Sequence, residues 1–180
     1  QGIGRATAEL ALNLGANVVV ADLKPEGINE LAAANSADRV LALSGDVADP
    51  AFVRDMVAKG VEKFRQIDGL VNNAGIQHTA PLADMPHEMW QAIIAVNLSA
   101  AFYTMQAALP VMAERGYGRV VNIASVQGLI GSVNKGPYVA AKHGIVGLSK
   151  VAALEYAAAG SKESGGVTVN CICPGWTETT

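Results

Sequence analysis

The sequence has few aromatic and few charged residues. Of its 180 residues, 5% are aromatic and 16% are charged, and the formal net charge is −3. Its lysines and arginines are scattered singly, whereas a surface that binds nucleic acid or an anionic membrane concentrates them. No uninterrupted apolar run reaches the roughly 18 residues that cross a membrane as a helix. We therefore expect neither nucleic acid nor a membrane among the partners.

Cysteine and histidine are scarce as well. Cys171 and Cys173 lie two residues apart in an apolar run, a spacing that matches no metal site and leaves little room for a disulfide. His78, His87 and His143 have no second ligand at a metal-site spacing. The sequence therefore predicts no metal site, structural histidines and a reducing, cytoplasmic compartment.

Hydrophobic residues make up 51% of the chain and fall into alternating strand-like and helix-like stretches. The strand-like stretches show no alternation of polar and apolar residues, which indicates strands buried on both faces. Helices between such strands are typical of a doubly wound α/β fold with a parallel sheet. Without a linker or a repeat, we expect one domain over residues 1–180. The predicted strands are 17–21, 40–44, 69–72, 119–124 and 167–172, and the predicted helices are 5–14, 25–34, 51–64, 88–112 and 138–158.

A tyrosine, a lysine and a serine form a candidate proton-transfer group. Tyr138 and Lys142 are four residues apart, so they share one face of the predicted helix. An ammonium beside a phenol stabilises the phenolate, which makes Tyr138 a candidate acid/base. Ser125 follows the apolar run 119–124, and strand ends of this kind bind ligands in open α/β sheets. The alternative is a helix-surface Tyr/Lys pair and an ordinary serine.

The glycines at the start of the chain predict a nucleotide site. Gly2, Ile3 and Gly4 resemble the second half of a glycine-rich turn, where the backbone approaches a pyrophosphate at a helix N-terminus. Asp22 ends the next predicted strand, where a carboxylate accepts hydrogen bonds from the adenosine ribose and repels the 2′-phosphate of NADP. This pattern favours NAD over NADP. The alternatives are glycines and an aspartate that only cap helices.

Further segments, taken with these, resemble the short-chain dehydrogenase/reductase family over almost the whole chain. After the third predicted strand comes Asn72-Asn73-Ala74-Gly75, and Asp46-Val47, Asn97 and Pro174-Gly175 also match family motifs in order and spacing. Any one of these segments can be a turn or a cap. Their ordered occurrence is what indicates the family.

The resemblance implies a Rossmann-type enzyme that moves a hydride between a nicotinamide and a substrate carbon. It implies that Tyr138 is the acid/base, that Lys142 assists it and binds the nicotinamide ribose, that Ser125 bonds the reacting oxygen, and that Asn97 supports a relay water. It also implies a homotetramer formed through the helices near 88–112 and 138–158. The cofactor-binding residues it implies are Gly2, Ile3, Gly4, Asp22, Asp46, Val47, Asn73, Ala74, Gly75, Tyr138, Lys142, Pro174, Gly175 and Thr177.

Four residues bear on the substrate, because their surroundings resemble the subfamily of bacterial D-3-hydroxybutyrate dehydrogenases. In that subfamily a glutamine, a histidine and a lysine hold the substrate carboxylate. Gln77 and Lys135 match the glutamine and the lysine, whereas Gln127 stands where the histidine is expected. A neutral amide at this position is expected to weaken the binding of the substrate carboxylate without abolishing it. Trp176 either lines the substrate pocket or fills core volume. The alternative for Gln77 and Lys135 is that they are ordinary loop residues.

The resemblance also predicts that the first, central strand and a C-terminal lid with the last strand belong to a longer protein than this chain. Without the central strand, two half-sheets with unpaired edges are expected. Two other functions remain open. One is a family member that acts on a 3-oxoacyl thioester or a sugar, and the other is a non-catalytic cofactor-binding protein on the same fold.

Overall fold

The structure, a computed structural model, describes residues 1–177. Strands and helices alternate along the chain as the sequence predicts. The strands are β1 (Val18–Asp22), β2 (Val40–Ser44), β3 (Gly69–Asn72), β4 (Tyr117–Ile123) and β5 (Gly166–Ile172), and the helices are α1 (Gly2–Asn13), α2 (Pro25–Ala33), α3 (Pro50–Phe64), α4 (His87–Ile94), α5 (Ala100–Arg115) and α6 (Gly136–Glu155).

All strand pairs are parallel, and they form two sheets. Strands β1 and β2 pair with each other, with Val18 opposite Val40. The second sheet has the order β3-β4-β5, with Gly69 opposite Arg119 in its first pair. Among residues 1–177, no strand pairing joins the two sheets. The parallel α/β fold and the two predicted half-sheets are therefore confirmed.

Helices bury apolar side chains against both sheets. The largest cluster of buried residues joins α5, α6, β4 and β5, with Met112 and Val120 fully buried in it. Helix α3 packs between the β1-β2 sheet and helix α5, because Val53 is buried among side chains of β1, β2 and α5. This burial supplies the main favourable free energy for holding the layers together.

The predicted element boundaries need three corrections. Helix α1 begins at Gly2 rather than residue 5, so the glycines form its first turn; Gly2 has a φ of 58°. The predicted helix over 88–112 is a longer run that is interrupted by a π-helical segment, Ala95–Ser99. It ends at Arg115, and the φ of 69° at the capping residue Gly116 suits a residue without a side chain. Helix α6 ends at Glu155, three residues before the predicted end.

The run His87–Arg115 is 29 residues long and apolar enough to cross a membrane by length and composition alone, and 44% of its most apolar window is buried inside the fold. Its buried residues include Ile93, Met105 and Met112. The core helix of a globular protein meets the same criteria, and the packing of α5 against β4 is of that kind. The length and hydropathy of this run are therefore weak evidence for a membrane span.

Candidate active site

Most of the predicted site residues lie in segments near the carboxyl ends of β3, β4 and β5, whereas Asp22 and Asp46 lie at the ends of β1 and β2. Because the three strands are parallel, the segments that follow them leave the sheet at one edge. Ser125 lies two residues beyond β4, not directly at the strand end as predicted, because the strand stops at Ile123. The segment after β5 joins the segment after β4 through a hydrogen bond from Val126 N–H to the Pro174 carbonyl, at 2.8 Å.

Helix α6 carries Tyr138 and Lys142 toward this edge. Pro137 lies in the first turn of the helix, where its missing N–H has no helical partner to lose. The Lys142 Nζ lies 5.6 Å from the centre of the Tyr138 ring. The ammonium and the tyrosine ring therefore share one face of the helix, as their i, i+4 spacing predicts.

Lys142 is an unusually buried lysine. Its side chain is 4% exposed, and Nζ donates a hydrogen bond to the Ile123 carbonyl at 2.6 Å. Burial disfavours the charged form and lowers the pKa of Lys142 to about 8. A lysine in this state is charged at neutral pH but gives up its proton far more readily than a surface lysine.

Ser125 is held in an extended conformation at the start of a short 3₁₀ turn, Val126–Gly128. Its hydroxyl oxygen accepts a hydrogen bond from Gln127 N–H at 3.2 Å. This contact leaves the hydroxyl proton of the half-buried serine available to a ligand. Gly128 packs directly on α6, since a Cβ there would lie 2.6 Å from the Lys142 carbonyl oxygen. The serine turn is thus pressed against the helix that bears the tyrosine and the lysine.

Asn97 lies in the π-helical segment and is 1% exposed. Its Oδ1 accepts from Ile76 N–H at 2.8 Å, and its Nδ2 donates to the Ile76 carbonyl at 2.9 Å. Both polar atoms of the side chain are therefore bonded to the segment that follows β3. The side chain fixes this segment, which carries Gly75 on one side of Ile76 and Gln77 on the other.

The N-terminus of α1 is suited to bind a phosphate group. No side chain caps this end of the helix and no acidic residue lies in its first turn, so its free N–H groups and the helix dipole favour an anion. Gly4 closely approaches the segment after β3, since a Cβ there would lie 2.7 Å from Asn73 Nδ2. A larger residue at this position would displace the side chain of Asn73. The glycines at the start of α1 and the segment after β3, both predicted to bind the cofactor, are thus neighbours.

The remaining predicted cofactor residues lie in loops that follow strands. Asp22 is the exposed last residue of β1 and accepts a hydrogen bond from Lys24 N–H at 3.0 Å. Asp46 follows β2 and accepts from Ala48 N–H at 2.8 Å, while Val47 packs against buried residues of α3. Ala74, Gly75, Gly175 and Thr177 are exposed. A helix N-terminus, an exposed strand-end carboxylate and open strand ends together fit a dinucleotide.

The four predicted substrate residues lie in separate loops. Lys135 is the residue before α6, and its Nζ lies 5.3 Å from the ring centre of Trp176. Within residues 1–177, Trp176 is 98% exposed and packs in none of the buried clusters. The amide of Gln77 donates to Thr79 Oγ1 at 3.4 Å. Gln127 is half-buried in the turn after Ser125, and within residues 1–177 no hydrogen bond joins the side chains of Gln77, Gln127 and Lys135.

Apolar side chains are exposed around these loops, and a backbone hydrogen bond connects them. The N–H of Ala80 donates to the carbonyl of Asn134 at 3.0 Å, which joins the loop after β3 to the loop before α6. The exposed side chains in and near these loops are Leu82, Leu129, Ile130, Val133 and Trp176. The loops around Lys135 therefore combine a cation with exposed apolar side chains, which suits a small amphiphilic substrate.

Several contacts at the site have no counterpart among the sequence motifs. The backbone of Ile76 and the carbonyl of Ile123 are polar partners that no side-chain motif reveals. Asn122 is fully buried in β4 and hydrogen-bonds Asn72. An asparagine inside a strongly apolar strand is the signal that points to it, because a buried carboxamide requires partners.

The chain is similar to known proteins over nearly its whole length. The family model for short chain dehydrogenases matches residues 1–180. The chain is 46% identical to D-beta-hydroxybutyrate dehydrogenase of Cupriavidus necator over 180 residues, which cover 97% of this chain and 66% of that protein. It is 44% identical to the protein of the same name from Rhizobium meliloti, where the match covers 97% of this chain and 67% of that protein.

A solved structure shows the same fold. The crystal structure of a short-chain dehydrogenase from Streptomyces avermitilis superposes with a TM-score of 0.89 at 31% identity, and the match covers 98% of this chain and 62% of that one. The chain thus spans about two thirds of the length of the relatives it matches. The family match, the sequence identities and the fold all point to the same family. The chain belongs to the short-chain dehydrogenase family.

Proposed function

We propose that this chain is the larger part of an NAD-dependent dehydrogenase that acts on a small 3-hydroxy acid such as 3-hydroxybutyrate. The observation that carries the proposal is the placement of Tyr138 and Lys142 on α6, against the end of β4 that leads to Ser125. The relatives named D-beta-hydroxybutyrate dehydrogenase support the choice of substrate.

Three side chains handle the substrate hydroxyl in this proposal. The Tyr138 phenolate accepts the hydroxyl proton, while Ser125 donates a hydrogen bond to the same oxygen. Lys142, 5.6 Å from the tyrosine ring, supplies the positive charge that favours the phenolate. The bound nicotinamide supplies the acceptor for the hydride that leaves the substrate carbon. Asn97 holds the segment after β3 through both backbone polar groups of Ile76, the residue before Gln77.

We assign the dinucleotide to the glycine turn of α1 and the strand ends. The pyrophosphate would lie at the α1 N-terminus, and Asp22 would accept hydrogen bonds from the adenosine ribose. Asp46 and Val47 would flank the adenine, and Asn73, Ala74, Gly75, Pro174, Gly175 and Thr177 would line the rest of the site, with Lys142 at the nicotinamide ribose. The exposed carboxylate of Asp22 favours NAD, because it would repel the 2′-phosphate of NADP.

Lys135 is the proposed anchor of the substrate carboxylate. It lies three residues before Tyr138 in the sequence, and its ammonium is 5.3 Å from the ring centre of Trp176. Gln77 and Gln127 would donate further hydrogen bonds from their amides. The apolar side chains in the neighbouring loops would contact the short alkyl chain of the substrate.

We further propose that the protein is a cytoplasmic homotetramer. A shallow apolar depression lies between α5 and α6, and it is lined by Leu98, Phe102, Tyr103 and Leu148. Phe102 is 43% exposed, and Val151 and Leu154 extend the exposed apolar surface along α6. A second copy of the chain is the proposed occupant of this surface, because the depression and the exposed side chains form a continuous apolar strip. Light scattering of Phe102→Asp, which places a charge in the strip, should show smaller particles.

The proposal is tested by the formation of NADH from NAD and 3-hydroxybutyrate by the complete gene product. We expect turnover with this acid, with Tyr138→Phe as the inactive control. A preference for a 3-oxoacyl thioester with NADPH, or for a sugar, would replace the hydroxy-acid assignment. No turnover of any secondary alcohol together with tight NAD binding would identify a non-catalytic cofactor-binding protein.

A further inference from the structure

Four polar side chains, three of them buried and one half-buried, form a continuous hydrogen-bonded row below the candidate active site. Asn72 of β3 and Asn122 of β4 are register partners, and Asn72 Nδ2 donates to Asn122 Oδ1 at 2.7 Å. Thr104 on α5 donates its hydroxyl proton to Asn72 Oδ1 at 2.6 Å. Asn122 Nδ2 donates to the hydroxyl oxygen of Ser149, on α6, at 2.7 Å. We call Thr104, Asn72, Asn122 and Ser149 the polar row.

Three of the four members of the polar row are buried, and Asn72 is half-buried. Asn122 is 0% exposed, Thr104 5% and Ser149 4%. Ser149 donates its own proton to the Ile145 carbonyl at 2.7 Å and accepts from the Cys171 thiol at 3.0 Å. Because an unpaired buried amide or hydroxyl is costly, these bonds are stable only while the elements keep their relative positions. Apolar side chains in the same place would tolerate small shifts.

The two helical ends of the row lie on the helices that carry site residues. Thr104 is seven residues after Asn97 along the helical run that includes the π-helical segment. Ser149 is seven residues after Lys142 on α6, which is close to two turns, so the two side chains leave nearly the same face of the helix. A bond that fixes Ser149 against the sheet therefore also restrains the rotation and translation of the face that bears Lys142.

The two strand members lie just before the other site segments. Asn72 directly precedes Asn73 in the segment after β3, and Asn122 is three residues before Ser125. The hydrogen bonds of the row thus connect four elements, each of which leads to a different part of the candidate site. Directional bonds of this kind set the register of helix against strand, which apolar contacts in the same layer do not.

We propose that the polar row is a positioning device that sets Asn97 on one helix and Lys142 with Tyr138 on the other relative to Ser125. The inference rests on the proposed function for its catalytic readout. Its members are positioning residues, because they bond to one another below the site rather than at the opening. Removing one hydroxyl should let one helix shift, and shifts of about 1 Å at a reacting group cost up to about 100-fold in rate.

The sharpest test uses two substitutions of Thr104 in the complete gene product. Thr104→Val keeps the shape and removes the hydroxyl, whereas Thr104→Ser keeps the hydroxyl and removes a methyl group. We expect the valine variant to lose about 10-fold in kcat for 3-hydroxybutyrate, with the KM for NAD changed less than about 3-fold. The serine variant should keep kcat within about 2-fold. Equal kcat values in the two variants, corrected for the folded fraction, would overturn the proposal.

A second measurement asks whether the row acts as one unit. The hydroxyls of Thr104 and Ser149 belong to different helices and are joined through two asparagines. If the row is one device, the double variant Thr104→Val/Ser149→Ala should lose less in kcat than the product of the two single losses. Multiplicative losses would mean two independent hydroxyls and would contradict the inference. Val120→Ala, a buried change on β4 outside the row, is the control and should lower the melting temperature with kcat retained.

Crystal structures of the Thr104 variants separate a failure of this inference from a failure of the proposed function. If the unmodified protein does not oxidise 3-hydroxybutyrate, the proposed substrate is wrong, but the row still predicts a displacement of Asn97 relative to Ser125 in Thr104→Val and none in Thr104→Ser. If the distance between Asn97 and Ser125 is unchanged in Thr104→Val, the proposed positioning role of the polar row is wrong, whatever the substrate is.

Discussion

The ammonium of Lys142 donates a hydrogen bond to the backbone carbonyl of Ile123 at 2.6 Å, which ties the middle of α6 to the last residue of β4. Two residues after Ile123 the chain reaches Ser125, and one helical turn before Lys142 lies Tyr138. One hydrogen bond thus connects the two elements that carry the serine and the tyrosine. The lysine is buried at this position, and its desolvation lowers its pKa to about 8.

Removal of the Tyr138 hydroxyl should abolish turnover. Tyr138→Phe keeps the ring and the packing on α6 but has no proton to exchange, and general acid–base catalysis contributes about 10²- to 10⁴-fold in rate. We expect kcat to fall by at least about 100-fold while the Kd for NAD stays within a few-fold. Steady-state kinetics and a binding titration check both values. A variant that retains most of its kcat would exclude Tyr138 as the acid/base.

Cofactor preference should depend on Asp22. The carboxylate ends β1 in an exposed position, where it would repel the 2′-phosphate of NADP. The unmodified protein should prefer NAD, and Asp22→Ser should lose most of that preference by using NADP better. The ratio of kcat/KM for the two cofactors is the measurement. Asp38→Ser, a change in the loop before β2, is the control, and equal use of both cofactors by the unmodified protein would contradict the assignment.

Charge recognition at the substrate opening should depend on Lys135. A hydrogen bond to a charged group contributes roughly 1.5–3 kcal/mol, so Lys135→Ala should raise the KM for 3-hydroxybutyrate about 10- to 150-fold. The KM for an uncharged secondary alcohol should change little. Lys162→Ala, in the exposed loop before β5, serves as the control. If charged and uncharged substrates suffer alike, Lys135 does not hold a carboxylate.

Gln127 offers a gain-of-function test of the same site. It stands two residues after Ser125, where the resemblance implies a histidine, and its side chain is half-buried. A histidine can carry a positive charge at or below neutral pH, so Gln127→His should lower the KM for 3-hydroxybutyrate, and more at pH 6 than at pH 8. No gain at either pH would argue against a carboxylate at this position. Gln127→Asn, which shortens the amide, should raise the KM.

Burial of Lys142 predicts a pH-dependent stability. Its pKa is about 8 in the folded protein and that of a free lysine is about 10.4, so between these values the unfolded state binds more protons and stability rises with pH. From pH 7 to 9.5 the gain is about 2 kcal/mol. Lys142→Met should lack this gain and be more stable than the unmodified protein at pH 7. Denaturant unfolding at both pH values is the measurement.

Lys150→Met, which replaces an exposed lysine on the same helix, is the matched control for that experiment. It should leave the pH dependence of the unfolding free energy as it is in the unmodified protein. If Lys142→Met and Lys150→Met have the same effect, the buried ammonium does not cause the pH dependence.

The sequence by itself determined the order and type of the elements and the family. Apolar strands without alternation and helices between them require a parallel sheet, because only that arrangement buries both faces of each strand. The i and i+4 spacing of Tyr138 and Lys142 places them on one face of any α-helix that contains both. These features depend on residues that are close in the chain, and a local pattern is therefore enough to predict them.

Only the tertiary structure decided which distant groups meet. Asn97 bonds the backbone of Ile76, Lys142 bonds the carbonyl of Ile123, and the Lys135 ammonium lies 5.3 Å from the ring centre of Trp176. Each of these depends on how a helix packs on a strand or a loop many residues away. A backbone carbonyl has no residue type, so no motif marks it as a partner. Asn122 stands out as a polar residue in an apolar strand, but its partners on α6 and β3 follow only from the packing.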